Sequence, residues 1–347
     1  MMKKETSARR GLIGSNNLLL IITILLFVLM YGAGCVMYGN KGFTHLQTFL
    51  NVLINNAGLL CVACGMTCVM LTGGIDISVG ALIALDCMIL AAGIEQAHIP
   101  APALILFVLA IGVLFGFAQG FLISHLGIQP FIVTMAGMFF ARGMTAVISK
   151  DQISITSSPF MSNLANTKLN IPFGIGAYLN NKGKVVTPYV RIGVIIALIV
   201  LLVIFFILRK TRFGRSLYAV GGNQQSAEMM GLNVKRTRML AYVLSSFLCS
   251  IGGICYCLNT MCGTPTQAAG LEMDAISSAV IGGTLLTGGV GNVIGSFFGV
   301  LINGTISSIV KTNGKLASSW PNVLSAILLF FFIVLQAVFA ALKEKKK

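Results

Sequence analysis

Ionisable and amide side chains inside apolar runs are the places where this 347-residue sequence could do chemistry. Asp76 and Asp86 flank or enter one such run, Arg142 sits in another, and Glu272 and Asp274 open a third. An ion in hydrocarbon is costly, so these charges must face a partner or a wet cavity. Asp76 follows a glycine pair in GGIDIS, where its carboxylate either caps the next helix by accepting backbone N–H groups or faces a solute path. Asp86 lies farther along the same run and needs a partner or water. The amides Asn51, Asn55, Asn56, Asn259, Gln267 and Asn303 can exchange hydrogen bonds with sugar hydroxyls, and Phe139 and Phe140 offer aromatic faces. Hydrogen bonding between helices accounts for the same amides equally well.

Other chemistries find no support. Cys61, Cys64 and Cys68 share a helix face at i, i+3 and i+7, but no histidine lies nearby to complete a zinc set, and buried cysteine packs as a small hydrophobe. HExxH, GxSxG and Walker A motifs are absent; Gly183-Lys184 and Gly314-Lys315 lack the phosphate-loop spacing. His45, His98 and His125 form no set. The sequence therefore predicts no catalytic residue, no metal site and no cofactor bound by this chain. Two other function classes stay open on residues alone. One is an ion- or proton-coupled carrier working through Asp76, Asp86 and Arg142. The other is a membrane enzyme acting on lipid-linked sugars, for which Glu272 and Asp274 make a poor carboxylate pair.

The elements that must position these groups are membrane spans. Hydrophobic residues make up 56% of the chain and charged residues 10%, well below the roughly 25% of soluble domains. Spans of about 20 apolar residues can be drawn at 18–38, 46–71, 78–94, 101–124, 129–149, 189–208, 239–260, 271–287, 291–311 and 320–342. The expected fold is all-α, a polytopic bundle of about ten transmembrane helices over 18–342, with an amino-terminal tail at 1–17 and a basic tail at 343–347. The first apolar run is longer than a signal-peptide core and lacks a clear cleavage site, so it reads as an uncleaved span. Segment 150–188 contains Pro159, Pro172 and Pro188 and no sustained helical period, which predicts one long external loop with a short amphipathic piece.

Charge sets the orientation. Segment 209–238 holds seven of the 24 cations and a single acid, Glu228. With ten spans, fifteen cations fall on the side of both termini and eight on the other, which predicts cytoplasmic termini and a cytoplasmic central loop. The net charge of +15 would invite nucleic acid in a soluble protein. Here the cations sit at span ends, where anionic headgroups account for them, and no nucleic-acid module is visible.

Glycine marks packing and breaks. Gly112, Gly116 and Gly120, and likewise Gly291, Gly295 and Gly299, form smooth stripes that permit close helix contact. Leu71-Thr72-Gly73-Gly74-Ile75, followed by Gly80, is echoed 215 residues later by Leu286-Thr287-Gly288-Gly289-Val290, followed by Gly295. Paired glycine-interrupted segments in two halves of a transporter point to the substrate path. The echo predicts an internal repeat, parallel if the span count holds and inverted otherwise; two independent tight turns are the simpler alternative.

Four long motifs, LTGGIDISVGALIAL from Leu71, PFIVTMAGMFFARG from Pro130, the basic segment RTRFGRSLYAVGGNQQSAEMMGLNV, and Glu272 to Gly299, carry a family resemblance. In colinear order from about Phe43 to Leu342, the chain resembles permease subunits of bacterial ABC importers for monosaccharides, of the ribose, xylose and galactose type. Arg212-Phe213-Gly214, Tyr218 to Asn223 and Leu316 to Trp320 resemble the galactofuranose-type permease most; other relatives carry ribose, other pentoses, fructose, autoinducer-type furanoses or nucleosides.

The resemblance implies a multi-pass protein of the bacterial inner membrane that pairs with an identical or sister permease. It implies a separate cytoplasmic ABC ATPase holding ATP and magnesium, and an extracytoplasmic sugar-binding protein. It further implies that Gly221, Asn223, Ala227, Glu228, Met229, Met230 and Gly231 form the coupling helix that seats in the ATPase. The residues suit that role: Asn223 is a good N-cap, Gly231 a natural C-cap, and Met229 and Met230 can be buried in a partner.

Overall fold

The computed structural model describes residues 2–171, 176–179, 185–317 and 319–344, with side chains described for most of these. Fourteen α-helices form among the described residues. In chain order they are α1 (Met2–Tyr38), α2 (Leu46–Asn55), α3 (Ala57–Leu71), α4 (Val79–Glu95), α5 (Ala101–Ser124), α6 (Pro130–Ile148) and α7 (Pro159–Asn166). There follow α8 (Ile192–Lys210), α9 (Arg212–Gly222), α10 (Gln224–Met229), α11 (Val234–Thr260), α12 (Leu271–Ile281), α13 (Val293–Asn313) and α14 (Trp320–Glu344).

Helix α3 is the axis of the bundle, and every one of its residues is buried. A helix that is apolar all round belongs inside such a bundle, and AGLLCVACGMTCVML has no charged residue. Its small residues let α11 approach backbone to backbone: a Cβ on Gly58 would stand 2.8 Å from the Gly252 carbonyl oxygen, and one on Gly65 would stand 2.9 Å from Ser245 Cα. Between lipid-solvated helices there is little hydrophobic drive to associate, so such close packing does the work. One predicted glycine stripe is whole; of the other, Gly295 and Gly299 lie on α13 but Gly291 falls in the turn before it, because the helix starts at Val293, capped by Asn292. Gly112, Gly116 and Gly120 of α5 lie against Ser246, Tyr242 and Met239 of α11, and Gly295 and Gly299 of α13 lie against Gly282 and Ser278 at the end of α12.

Fewer than ten of the described helices are long enough to cross a membrane by themselves. Seven helices are long and apolar enough to cross a membrane, and the bent pair α2–α3 makes an eighth if taken as one span. The expected continuous span 46–71 is bent by 56° at Asn56, whose side-chain amide turns back to the Val52 carbonyl at 2.8 Å. The expected span 271–287 is helical only to Ile281, because Gly282 and Gly283 end the helix and Gly283 takes φ +89°. Helix α4 has 17 residues and α12 has 11, both below full crossing length.

Segment 150–188 contains the eight-residue α7 and short antiparallel pairings: Ile153–Ser154 with Cys262–Gly263, Lys168–Asn170 with Tyr189–Arg191, and Tyr178–Leu179 with Val185–Val186. Residues 172–175 and 180–184 of this predicted loop lie outside the described residues, as do Met1 and 345–347 of the two predicted tails. Glu95, at the end of α4, fastens the segment. Its Oε1 accepts from the Thr156 and Ser157 backbone N–H groups at 2.6 and 2.7 Å and from Ser157 Oγ at 3.0 Å, and its Oε2 accepts from Thr156 Oγ1 at 3.3 Å.

Those backbone N–H groups hold the Glu95 carboxyl below its usual range. A depressed carboxylate contributes its stability above its unfolded-state value and loses it as pH falls through the folded-state one. We expect Glu95→Gln to speed amide exchange at Thr156 and Ser157 by severalfold to about tenfold at neutral pH, the effect being limited by solvent exposure. In the wild type, protection should persist down to the ordinary carboxylate range and fail only below it. Equal exchange in Glu95→Gln and wild type would show that the tether is idle.

Candidate functional site

The basic segment folds as a bracket. Helix α9 begins with Thr211 Oγ1 accepting from the Gly214 N–H at 3.1 Å, and buries Gly214, Leu217 and Val220. Helix α10 then begins at Asn223, whose Oδ1 accepts from the Ser226 N–H at 2.9 Å. It ends at Gly231, φ +77°, where the Gly231 N–H donates to the Glu228 carbonyl and the Leu232 N–H to the Ala227 carbonyl. Ala227 is buried with Val220 and Val234 in a small core of its own. Gln224 donates to Glu228 at 3.0 Å across one turn. Met229 and Met230 point outward, 89% and 68% exposed. Two bare, flexible thioether side chains thus stand on a doubly capped turn.

This bracket rests on both copies of the LTGG echo. The Gly289 N–H donates to the Leu71 carbonyl at 2.9 Å, so the two copies touch directly. Gly73 and Gly288, at matching positions, take φ +78° and +87°, which only glycine adopts without strain. Gly221 closes the junction: a Cβ there would run into the Leu71 carbonyl oxygen and the Gly289 amide. A Cβ on Gly289 would stand 2.7 Å from Gly222 Cα, and one on Gly288 would stand 2.7 Å from the Gly73 nitrogen. Tyr218 of α9 adds a hydrogen bond at 3.0 Å to the Gly291 carbonyl. The end of α9 is thereby in backbone contact with the end of α3 and with the turn between α12 and α13.

The expected path residues fall in separate places. Asp76 is fully buried before α4; its Oδ1 accepts from Ser78 N–H at 3.1 Å and Ser78 Oγ at 2.6 Å, and its Oδ2 accepts from Ser245 Oγ at 3.2 Å. Gln119 of α5 extends this group to Ser78 at 3.0 Å. Asp86 is fully buried on α4 beside Gly253, and its oxygens have no hydrogen-bond partner among the described residues. Arg142 spends Nη1 on the Pro265 and Gln267 carbonyls at 3.1 and 2.6 Å. Phe139 and Phe140 are exposed on the outer face of α6, and Asn51 and Asn55 on that of α2. Asn259 accepts from Arg191 at 2.9 Å.

Asn303 holds helices together. Its Nδ2 donates to Ser277 and Ser278 Oγ at 2.9 and 3.0 Å, while its Oδ1 accepts from Ser325 at 3.2 Å, linking α12, α13 and α14. Asp76, Asp86 and Arg142 share no hydrogen bond, so a coupled carrier built on that trio gains no geometric support. Ser78, Gln119, Ser245, Tyr218 and Tyr242 did not stand out in the sequence. Gln119 had a signal, an amide beside Gly120 of the stripe, and Tyr218 stood in a family motif without a role, whereas Tyr242 had none.

The junction generates a paired test. Replacing a helical glycine by alanine ordinarily stabilises by about 1 kcal/mol, and nothing stands within 4 Å of a Cβ on Gly222. We expect Gly222→Ala to leave thermal stability unchanged or raised, and the neighbouring Gly221→Ala to lower it by a few kcal/mol through overpacking. Equal midpoints for the two variants in detergent would contradict the contact.

Residues 48–335 match the family described as "Branched-chain amino acid transport system / permease component". The inner membrane ABC transporter permease protein YjfF of Escherichia coli (strain K12) is 39% identical over 331 residues, 95% of each chain. The fructose import permease protein FruG of Bifidobacterium longum (strain NCC 2705) is 34% identical, covering 94% of this chain and 93% of its own. The ribose import permease protein RbsC of Escherichia coli (strain K12) is 32% identical, covering 85% and 87%. No solved structure matches the chain. With the match running from α2 to α14, this chain belongs to the branched-chain amino acid transport system / permease component family.

Proposed function

We propose that this chain is the membrane-spanning permease subunit of a bacterial ABC importer for a monosaccharide. The observation that carries the reading is the docking knob of Met229 and Met230, fixed through Gly221 to both broken turns. The sugar class rests on relatives named as fructose and ribose import permeases. A furanose-form sugar such as galactofuranose is the narrower choice, on the strength of the Arg212–Asn223 and Leu316–Trp320 motifs.

In this reading a separate ATPase, holding ATP and magnesium, takes Met229 and Met230 into a groove on the cytoplasmic side. Closure of the ATPase pair pushes on α10, and the glycine junction passes the push to the broken spans. An extracytoplasmic binding protein delivers sugar at the opposite end, and a second permease, identical or sister, completes the path. The exposed stripe of α6 with Phe139 and Phe140, next to Arg142, is the portion of the expected path best placed to face that second permease. The chain crosses the membrane ten times, α4 and α12 being broken spans completed by segments 72–78 and 282–292, with both termini cytoplasmic. The two LTGG turns are the corresponding points of an internal repeat.

Affinity purification from native membrane, with the companions identified by mass spectrometry, should yield an ABC ATPase, a permease and a sugar-binding protein. Uptake by the purified chain alone, driven by a proton gradient, would overturn the reading. Replacing both Met229 and Met230 by serine should weaken ATPase binding by on the order of 10- to 100-fold while the chain keeps its thermal midpoint. Gly231→Pro should uncouple ATP hydrolysis from uptake, and normal uptake by that variant would exclude α10 from coupling.

A further inference from the structure

At the end of the bundle that carries the basic segment, a cleft of about 530 Å³ opens between α1, α8, α9 and the turn before α13. Its walls include Leu20, Phe205, Leu208, Arg209, Tyr218 and Asn292. The size is that of a ligand site rather than a packing flaw. We propose that this cleft binds an anionic phospholipid, with the headgroup phosphate on Arg209 and an acyl chain along Leu20, Phe205 and Leu208.

The chemistry of the walls selects that occupant. Two neutral polar side chains face the cleft: the Tyr218 hydroxyl donates to the Gly291 carbonyl at 3.0 Å, and Asn292 Oδ1 accepts from the Ile294 N–H at 3.0 Å. Arg209 is exposed and held over the Phe205 ring at 5.6 Å, and no acid among the described residues lines the cleft. Lys210, Arg212 and Arg215 follow within two helical turns and add to the positive field. Leu20, Phe205, Leu208, Val293 and Ile294 supply the apolar part of the wall. The cleft also continues onto surfaces that face hydrocarbon, since Ile21 and Leu25 of α1 and Leu202 and Phe206 of α8 are exposed. A molecule with one anionic end and a long apolar body satisfies both halves, and basic pockets between spans select such headgroups.

Its place gives it a consequence. One wall is Gly291, held by Tyr218 next to the glycine junction. Lipid in the cleft braces the second broken turn against α8 and α9, whatever solute the protein carries.

The test is lipid retention and thermal midpoint of the purified full chain in nanodiscs of phosphatidylcholine, with and without phosphatidylglycerol. Native mass spectrometry should show wild type retaining phosphatidylglycerol about fivefold over phosphatidylcholine, with a raised midpoint. Arg209→Gln should abolish the preference, and Lys210→Gln, outside the cleft, should keep it. Leu20→Trp, which narrows the apolar part of the cleft and leaves Arg209 in place, should weaken it. Equal retention of both lipids by wild type would overturn the proposal, as would undiminished preference in both Arg209→Gln and Leu20→Trp. A full midpoint rise from inorganic phosphate alone would assign the site to free anion instead.

Discussion

Three stretches of backbone meet with no side chain between them where the Leu71 carbonyl accepts from the Gly289 N–H and Gly221 lies against both. Much of the architecture follows from this contact. It requires glycine at 221, 288 and 289, it brings two turns 215 residues apart to one point, and it seats the basic bracket directly on them. A side chain in the gap would act as a spring. Backbone against backbone transmits displacement with little compliance, because close-packed contacts are not continuously deformable.

The rest of the bundle supports that point by similar means. Helix α3, which ends at Leu71, is wrapped on all sides; α11 approaches it, and α5 approaches α11, on glycine surfaces. Polar side chains then fix register: Asn303 binds three helices, and Asp76 ties the start of α4 to α11 through Ser245. Inside a membrane each such group must find a partner. Asp86, Ser246 and Ser250 are the group along α4 and α11 whose oxygens find none among the described residues.

Glycine was the most legible residue in the sequence and amides were the least. The stripe at 112, 116, 120 and the pair 295, 299 could be read as contact faces, since four-residue spacing stays on one side of a helix; their partners could not be read, nor that Gly291 falls in the turn before α13. The LTGG echo was visible, but the hydrogen bond between its copies depends on tertiary folding. Asn223 and Gly231 announced the two ends of α10 because caps are local chemistry. The bend at Asn56 was missed although Asn55-Asn56 interrupt the run, because amides on a span fit hydrogen bonding between straight helices equally well. Asn303 and Asn51 show why site residues were harder. Both are amides on spans, yet one is buried among hydroxyls and the other is exposed. Residue type alone does not separate interhelical bonding from solute contact.

The central claim is that the docking knob and the broken turns move as one body. Electron paramagnetic resonance can measure the distance between spin labels at Met229→Cys and Thr287→Cys, both exposed positions, in the assembled complex with and without bound ATP. The account predicts one unchanged distance in both states while uptake proceeds. A distance that shifts by several ångströms on ATP binding would mean that the junction parts, and would contradict the account.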